Sequence, residues 1–291
     1  MLLAQECKEL RHNGGRLTNE KLEFENTQRT YSVFSPSLPT KSKRPLLIGL
    51  HGYYGTGKEF AEETASILDD LDHRNYVGIF PDGVKMSLLR FHVRSFNDID
   101  SQNSVGPDGP TCTESSYDYG VYRNCPKSQH YDRCNWGSSC SNDEGFLRRL
   151  IEIGIDKWCV DPTRIYLTGF SQGAQTVQSL AWRMSDVITA VAPHSGFAAN
   201  GYSKAPKSKM SFVQIWSEND RTVDGNERAS DDGMIYDSAA ETLTTWASAQ
   251  QCDPKTTPYL TEFDGEKAWK CVEHLNCKNS SIVASCSWDE G

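Results

Sequence analysis

One short stretch constrains the fold of this chain more than any other. It is Gly169-Phe170-Ser171-Gln172-Gly173, and it lies between a strand-like and a helix-like segment. The residues just before it, 165–167, are β-branched, aromatic and apolar, which predicts a buried strand. The residues after it place apolar side chains at helical spacing: Ala174, Val177, Leu180, Ala181 and Met184. A strand must therefore pass into a helix through this five-residue turn.

A turn this tight predicts a strained backbone at Ser171. Glycine is needed on both sides because a Cβ there would strike a neighbouring strand or helix. The same geometry pushes the Ser171 hydroxyl into solvent, which makes it a candidate nucleophile. The alternative is a plain Gly/Ser turn, since the bare five-residue pattern also occurs by chance. The strand before it and the helix after it favour the nucleophile.

Length and charge restrict the domain organisation and the partners. A chain of 291 residues can bury a sizeable core, and we predict one α/β domain over residues 1–291. A net charge of −9 argues against a nucleic-acid partner or an anionic membrane. Apolar runs stay well short of the about 20 residues that a membrane span requires. We therefore expect no nucleic-acid or membrane partner, and a monomer.

The chain contains ten cysteines, an even number that clusters in polar stretches. This usage predicts disulfides and therefore export to an oxidising, extracellular environment. Two pairs bracket short loops and are the expected local disulfides: Cys134 with Cys140, and Cys271 with Cys277. The pairing of the other six stays open. A zinc site is the alternative, but the sequence lacks the tight C-x-x-C pairs or matching histidine spacing that zinc sites use.

Strand-like and helix-like segments alternate along most of the chain, which predicts an α/β fold. The expected strands are residues 22–24, 31–34, 46–50, 76–80, 165–167, 187–192, 212–216 and 282–286, and the expected helices cover residues 60–71, 146–153, 174–184 and 239–249. Residues 86–143 interrupt this pattern with polar residues, Gly, Pro, Tyr and four cysteines. We interpret them as a long, disulfide-tied excursion.

Ligands of such sheets bind outside the carboxyl ends of the strands. His51-Gly52-Tyr53 follows one such strand as a glycine-containing loop whose backbone can approach a ligand. The backbone N–H groups of Tyr53 and Gln172 are therefore the expected oxyanion-hole donors. A plain turn is the alternative for this loop. We expect His51 to brace the loop rather than to titrate in catalysis.

Asp220 follows the second strand after the Ser171 turn, so a serine and an acid occur in that order along the chain. A carboxylate here would hold an imidazole in the right tautomer and stabilise its charged form. The alternative is a turn aspartate that accepts local hydrogen bonds within residues 219–224. Asp224 is the competing carboxylate.

Several segments of the chain resemble the polyhydroxybutyrate depolymerase and feruloyl esterase group of secreted α/β-hydrolases. They are residues 45–57, 76–83, 95–97, 160–171 and 190–196, and the likeness runs from about Arg29 to the last residue. The resemblance implies an α/β-hydrolase fold, a mostly parallel central sheet with helices on both faces. It also implies hydrolysis of a carboxylic ester through an acyl-serine, without a metal or organic cofactor. The substrates would be phenolic or acetyl esters of polysaccharide, or hydroxyalkanoate polyesters.

The chain departs from this group at three places. Phe96 replaces the tryptophan of the usual Ser-Trp-Asn, and Ala174 replaces a second glycine after the turn. In this group the triad histidine follows a stretch like residues 287–291, so we expect the general base just after Gly291. Two other histidines are less suited substitutes: His274, which precedes the last strand, and His194, which ends the strand beside the turn.

Two functions from different classes follow from these residues. The first is a secreted serine esterase whose general base lies after Gly291. The second is a non-catalytic relative that binds an ester or a glycan in the same cleft. A retained strained turn, with Ser171, Asp220 and the glycine loop, favours the esterase. A peptidase of the same fold is a less favoured third alternative.

Overall fold

The computed structural model describes residues 14–64, 66–88, 91–97, 105–114, 139–226, 229–258 and 269–289. Its strands are β1 (Arg16–Phe24), β2 (Thr27–Ser35), β3 (Arg44–Leu50), β4 (Val77–Pro81), β5 (Val84–Leu88), β6 (Phe91–Ser95), β7 (Val105–Gly106), β8 (Gly109–Pro110), β9 (Val160–Phe170), β10 (Ala190–His194), β11 (Ser211–Ser217), β12 (Thr256–Pro258), β13 (Lys270–His274) and β14 (Val283–Trp288). Ten of them form one sheet in the order β1-β2-β4-β3-β9-β10-β11-β14-β13-β12.

The centre of this sheet is parallel. Strands β4, β3, β9, β10, β11 and β14 pair in parallel with one another, whereas β1, β2, β13 and β12 add antiparallel edges. Parallel neighbours end at the same edge of the sheet, so the loops after β3, β9, β10 and β11 meet there. The predicted mostly parallel central sheet is confirmed.

The helices are α1 (Gly57–Glu63), α2 (Ile67–His73), α3 (Asp143–Trp158), α4 (Gln172–Arg183) and α5 (Ala239–Ala249). The prediction of one helix over residues 60–71 is wrong, because α1 and α2 are separate helices of seven residues each. Ser66 lies between them with a φ of 59°, a left-handed conformation that no right-handed helix can contain. None of the described helices is long and apolar enough to cross a membrane.

Helices cover both faces of the sheet, as predicted. On one face α3, α4 and α5 share a core with the strands that includes Phe146, Leu150, Val177, Leu180 and Trp246. The Trp246 ring stacks on Phe212 of β11, with centroids 4.4 Å apart. On the other face Ala61 and Leu71 of α1 and α2 pack against Phe34 and Phe80.

The second face is incompletely covered over β10 and β11. Ala192 and His194 of β10, and Val213 and Ile215 of β11, point to this face and remain half-exposed. Strands of a parallel sheet usually bury both faces, so their sequence is apolar on both. The half-exposed apolar residues leave room for a cavity beside the carboxyl edge of the sheet.

Two disulfides lie within the described residues, Cys252–Cys277 and Cys271–Cys286. The predicted Cys271–Cys277 pair is therefore wrong. Cys271 on β13 stands directly opposite Cys286 on the antiparallel strand β14, which brings their side chains together. Cys277 follows β13 in a segment that runs beside the end of α5, where Cys252 lies.

The second predicted local pair, Cys134 with Cys140, involves a residue outside the described ranges. Cys112, Cys140 and Cys159 are disulfide-bonded, and the described part of the chain contains no free cysteine. The expected disulfide chemistry is thus confirmed.

The polar excursion, residues 86–143, is described only in part, and residues 115–138 lie outside the description. Its beginning forms the antiparallel pair β5–β6, and its end is fixed by Asp143 at the start of α3. Asp143 is buried and forms an ion pair with Arg29 of β2, at an N–O distance of 2.7 Å. Its other oxygen accepts the N–H of Asn97, 2.6 Å away. One carboxylate thus joins the start of α3 and the segment after β6 to strand β2 of the sheet.

Candidate active site

Ser171 lies between β9 and α4 with φ 53° and ψ −123°, a combination that non-glycine residues rarely adopt. Its backbone is held on both sides. The N–H donates to the carbonyl of His194 at 3.0 Å, and the carbonyl accepts from Ala174 and Gln175. The side chain makes no capping hydrogen bond to α4. The structure therefore has the strained turn that the sequence predicts, with Ser171 partly exposed.

The two glycines of the turn are required by close backbone contacts. A Cβ on Gly169 would lie 2.6 Å from the carbonyl group of Gly173, at the start of α4. A Cβ on Gly173 would lie 2.3 Å from the carbonyl oxygen of Leu50, at the end of β3. Real Cβ atoms do not approach other atoms this closely. The expected collisions with a helix and with a neighbouring strand are both present.

The loop His51-Gly52-Tyr53 follows β3 and contacts the serine. A Cβ on Gly52 would lie 3.3 Å from the Cβ of Ser171, which is closer than most real Cβ contacts. The two predicted oxyanion donors belong to residues on either side of this contact. Tyr53 is the residue after Gly52, and Gln172 is the first residue of α4, where helix N–H groups point out of the N-terminus.

His51 is buried and its ring holds this loop in place. The Nδ1 atom lies 2.7 Å from the carbonyl oxygen of Gly52, and Nε2 accepts the N–H of Gly83 at 2.9 Å. Because a carbonyl can only accept and an amide N–H can only donate, the ring carries its proton on Nδ1 and is neutral. Burial lowers the pKa of His51, which favours the same neutral form.

Asp220 lies in the turn after β11. Its Oδ1 accepts the N–H groups of Thr222 and Val223, at 2.9 and 3.0 Å, so the local turn role that we considered as an alternative is present. The negative charge of Asp220 also acts on His194. Asp224, the competing carboxylate, is buried and accepts the N–H of Asn226 at 2.7 Å.

His194 ends β10 beside the serine turn, and its carbonyl accepts the N–H of Ser171 at 3.0 Å. It pairs with Phe170 in the parallel register of β10 and β9, so both rings lie on the same face of the sheet, 5.3 Å apart. The ring of Trp288 lies 5.5 Å away on the other side. Burial lowers the pKa of His194, and the charge of Asp220 opposes this effect. The structure thus brings Ser171, His194 and Asp220 to one edge of the sheet.

His274 lies at the opposite edge. It pairs with Val283, the first residue of β14, and its Nδ1 lies 2.7 Å from the carbonyl oxygen of Asp253. The carboxyl end of β14 lies instead beside the turn that bears Asp220, since Glu218 donates its N–H to the carbonyl of Trp288 at 2.7 Å. The predicted position of the base, just after Gly291, lies outside the described residues.

A cavity of about 690 Å³ adjoins the turn on the half-exposed face of the sheet. Its walls come from the His51-Gly52-Tyr53 loop, from α1, and from the ends of β9, β10 and β11. Phe60, Phe170, His194 and Ile215 make these walls largely apolar, and Glu59 and Glu63 add carboxylates. The sequence did not identify Phe170 as a wall residue of a cavity. The alternation of apolar and polar residues does not show which strand ends the helices leave uncovered.

The comparisons with known proteins bear on the fold and on the family resemblance. The chain is 28% identical over 170 residues to feruloyl esterase B of Piromyces equi, in an alignment that covers 54% of this chain and 30% of that protein's length. The structure superposes on an acetyl xylan esterase from Aspergillus awamori with a TM-score of 0.57 and 13% identity, over 94% of this chain and 93% of that one. No protein-family model matches the chain.

The chain has the α/β-hydrolase fold. The superposition spans nearly the whole of both chains, and the sheet order matches a central parallel sheet with helices on both faces. The resemblance to feruloyl esterases is also confirmed. The resemblance to polyhydroxybutyrate depolymerases stays a prediction.

We predict that Gly173→Ala destabilises the protein by about 3 kcal/mol, because the new Cβ must displace the backbone of β3. The matched control is Gly154→Ala, which also replaces a helical glycine. There the nearest atom is a methyl group of Val160 at 3.3 Å, so the change should stay within about 1 kcal/mol. Urea unfolding measures the free energy of unfolding of both variants. Equal stabilities of the two variants would contradict the close contact.

The neutral, buried state of His51 predicts an acid-sensitive fold. In the unfolded chain a histidine binds its proton near pH 6.5, whereas burial lowers the pKa of the folded His51. The unfolded state therefore binds more protons below pH 6.5, and stability that is complete above this pH is lost on acidification. The slope contributed by one such group is at most about 1.4 kcal/mol per pH unit. His51→Gln should flatten the dependence between pH 7.5 and 5, and an unchanged slope in urea titrations would contradict the assignment.

Proposed function

We propose that this protein is a serine carboxylic-ester hydrolase that acts through an acyl-serine intermediate. The conformation of Ser171 carries the proposal. Its backbone is held in a rarely populated region by hydrogen bonds on both sides, and the glycine loop packs against its Cβ. Strain of this kind costs about 1–3 kcal/mol and clusters at functional sites. A strand-to-helix turn without a function does not require it.

In the proposed reaction, Ser171 Oγ attacks the carbonyl carbon of the ester while a histidine takes its proton. The N–H groups of Tyr53 and Gln172 stabilise the oxyanion, and the N-terminus of α4 adds its positive dipole end. The intermediate collapses as the C–O bond to the alcohol breaks and the histidine returns the proton to that oxygen. Water then attacks the acyl-serine in the same way and releases the acid. Asp220 orients the histidine and stabilises its charged form.

We assign the general base to a histidine that follows Gly291. The support is that β14 ends beside the turn bearing Asp220, so residues after β14 start within reach of that carboxylate. His194 is the other candidate near the serine. Its ring lies on the Phe170 side of the sheet, between Phe170 and Trp288, and we assign it to the wall of the cavity.

The proposed substrates are phenolic or acetyl esters of polysaccharide. The cavity beside the turn has a size typical of small-molecule sites, and Phe170, the residue before Ser171, contributes to its aromatic and aliphatic walls. The relatives named feruloyl esterase and acetyl xylan esterase favour this class over hydroxyalkanoate polyesters. The disulfides favour an exported protein, because the cytosol keeps thiols reduced.

The first test is hydrolysis of p-nitrophenyl acetate by two forms of the protein. One form ends at Gly291, and the other continues through the natural reading frame. We expect the longer form to be active and the shorter one to be slower by several orders of magnitude, since a serine without a base is a poor nucleophile. Ser171→Ala should abolish the activity of the longer form. Inactivity of both forms would favour the non-catalytic ester- or glycan-binding alternative.

The second test decides whether Asp220 or Asp224 is the acid that orients the histidine. In the active form, Asp220→Asn should lower kcat by about 10³- to 10⁴-fold with little change in KM, because the histidine loses its orienting charge. Asp224→Asn should keep kcat within about threefold, although it also removes a buried carboxylate. The opposite result would assign the acid to Asp224. Circular dichroism of both variants checks that the fold is retained.

A further inference from the structure

Residues 94–96, at the end of β6, form a short segment that contacts both halves of the proposed oxyanion hole. We call it the bridging segment. Ser95 and Phe96 are both 0% exposed, although the segment belongs to the excursion and not to the central sheet. It lies far in sequence from the His51 loop and from the Ser171 turn. Phe96 belongs to the main hydrophobic core, and the segment also contacts those two elements.

The bridging segment holds the His51 loop from one side. The N–H of Tyr54 donates to the carbonyl of Arg94 at 3.2 Å, and the ring of Phe96 lies 4.7 Å from the ring of His51. Gly83, whose N–H donates to His51, packs so closely on Ser95 that a Cβ would lie 2.6 Å from the Ser95 carbonyl group. The loop that carries the first oxyanion donor is thus fixed to this segment.

The same segment holds the start of α4. The side chain of Gln172 is 1% exposed, and its Nε2 donates to Ser95 Oγ at 2.5 Å and to the carbonyl of Phe96 at 3.2 Å. Gln172 is the residue whose backbone N–H is the second proposed donor. Its side chain points into the bridging segment.

We propose that the bridging segment sets the distance between the two oxyanion donors, and that the Gln172 side chain is the positioning residue that couples them. The proposal rests on the proposed function. The donors follow different strands, β3 and β9, and the hydrogen bonds of the sheet end before either loop begins. Both N–H groups must meet one oxygen at about 2.7–3.1 Å, and productive sites tolerate errors of about 0.5 Å. The bridging segment binds both loops and so fixes the distance between the two N–H groups.

The test compares Gln172→Met with Gln214→Met in the active form of the protein. Gln214 is a close control, because its buried Nε2 also donates to a serine hydroxyl and to a backbone carbonyl, Ser285 Oγ at 2.9 Å and the Ala239 oxygen at 2.7 Å. Both variants lose the same chemical contacts and should lose similar stability. Only Gln172→Met should lower kcat, by about 10²-fold, with KM within about threefold, because a small misplacement of the donors acts on the transition state.

Amide hydrogen exchange gives a second readout that does not need activity. In Gln172→Met, exchange at the amides of residues 52–55 should rise at least about tenfold over the parent, whereas Gln214→Met should leave these amides unchanged. If the parent protein proves inactive, the proposed function fails. Amide hydrogen exchange alone then tests whether the Gln172 side chain couples the two loops. Equal exchange at residues 52–55 in the two variants would overturn the proposal, as would equal kcat values in an active protein.

Discussion

The contact between the start of α4 and the end of β3 is the constraint on which the site depends. At this contact two backbones approach so closely that Gly173 has no room for a Cβ against the carbonyl oxygens of Leu50 and His51. The approach turns the chain sharply at Ser171 and brings the serine against Gly52. A larger residue at position 173 would separate Ser171, the proposed nucleophile, from the loop that we propose stabilises the oxyanion. The local strain at Ser171 is stabilised by this packing and by the hydrogen bond to His194.

The parallel register of the sheet then gathers residues that are distant in sequence. Neighbouring strands β9, β10 and β11 end together, so the serine turn, His194 and the Asp220 turn occupy one edge. Strand β14 ends at the same edge, beside Asp220. The antiparallel strand β13 runs the other way and carries His274 to the far side, where it packs against the end of α5. The direction of the strands alone therefore separates the two histidines that the sequence offered as substitutes for the general base.

Periodicity and local turn chemistry predicted much of this arrangement. The strand, turn and helix around Ser171, the helix α5 and the parallel centre of the sheet follow from residues that lie close together in the sequence. The errors have another origin. The break at Ser66 is a single backbone rotation that leaves the apolar spacing intact, and the Cys271–Cys286 disulfide depends on the register of β13, which spacing did not identify. The contact of Gln172 with Ser95 joins residues far apart in the chain, so no local pattern indicates it.

The ion pair between Arg29 and Asp143 has a consequence for how such a protein can diverge. Removing either partner would leave a buried charge uncompensated, so the start of α3 is strongly anchored to β2. Asp143 also accepts the N–H of Asn97, so one carboxylate holds two points of the excursion. Between these two points, residues 105–114 bind back to the scaffold, since Ile235 donates its N–H to the carbonyl of Thr111 and Cys112 packs against Met234. Changes in the excursion and in the scaffold are therefore coupled, and the two must evolve together.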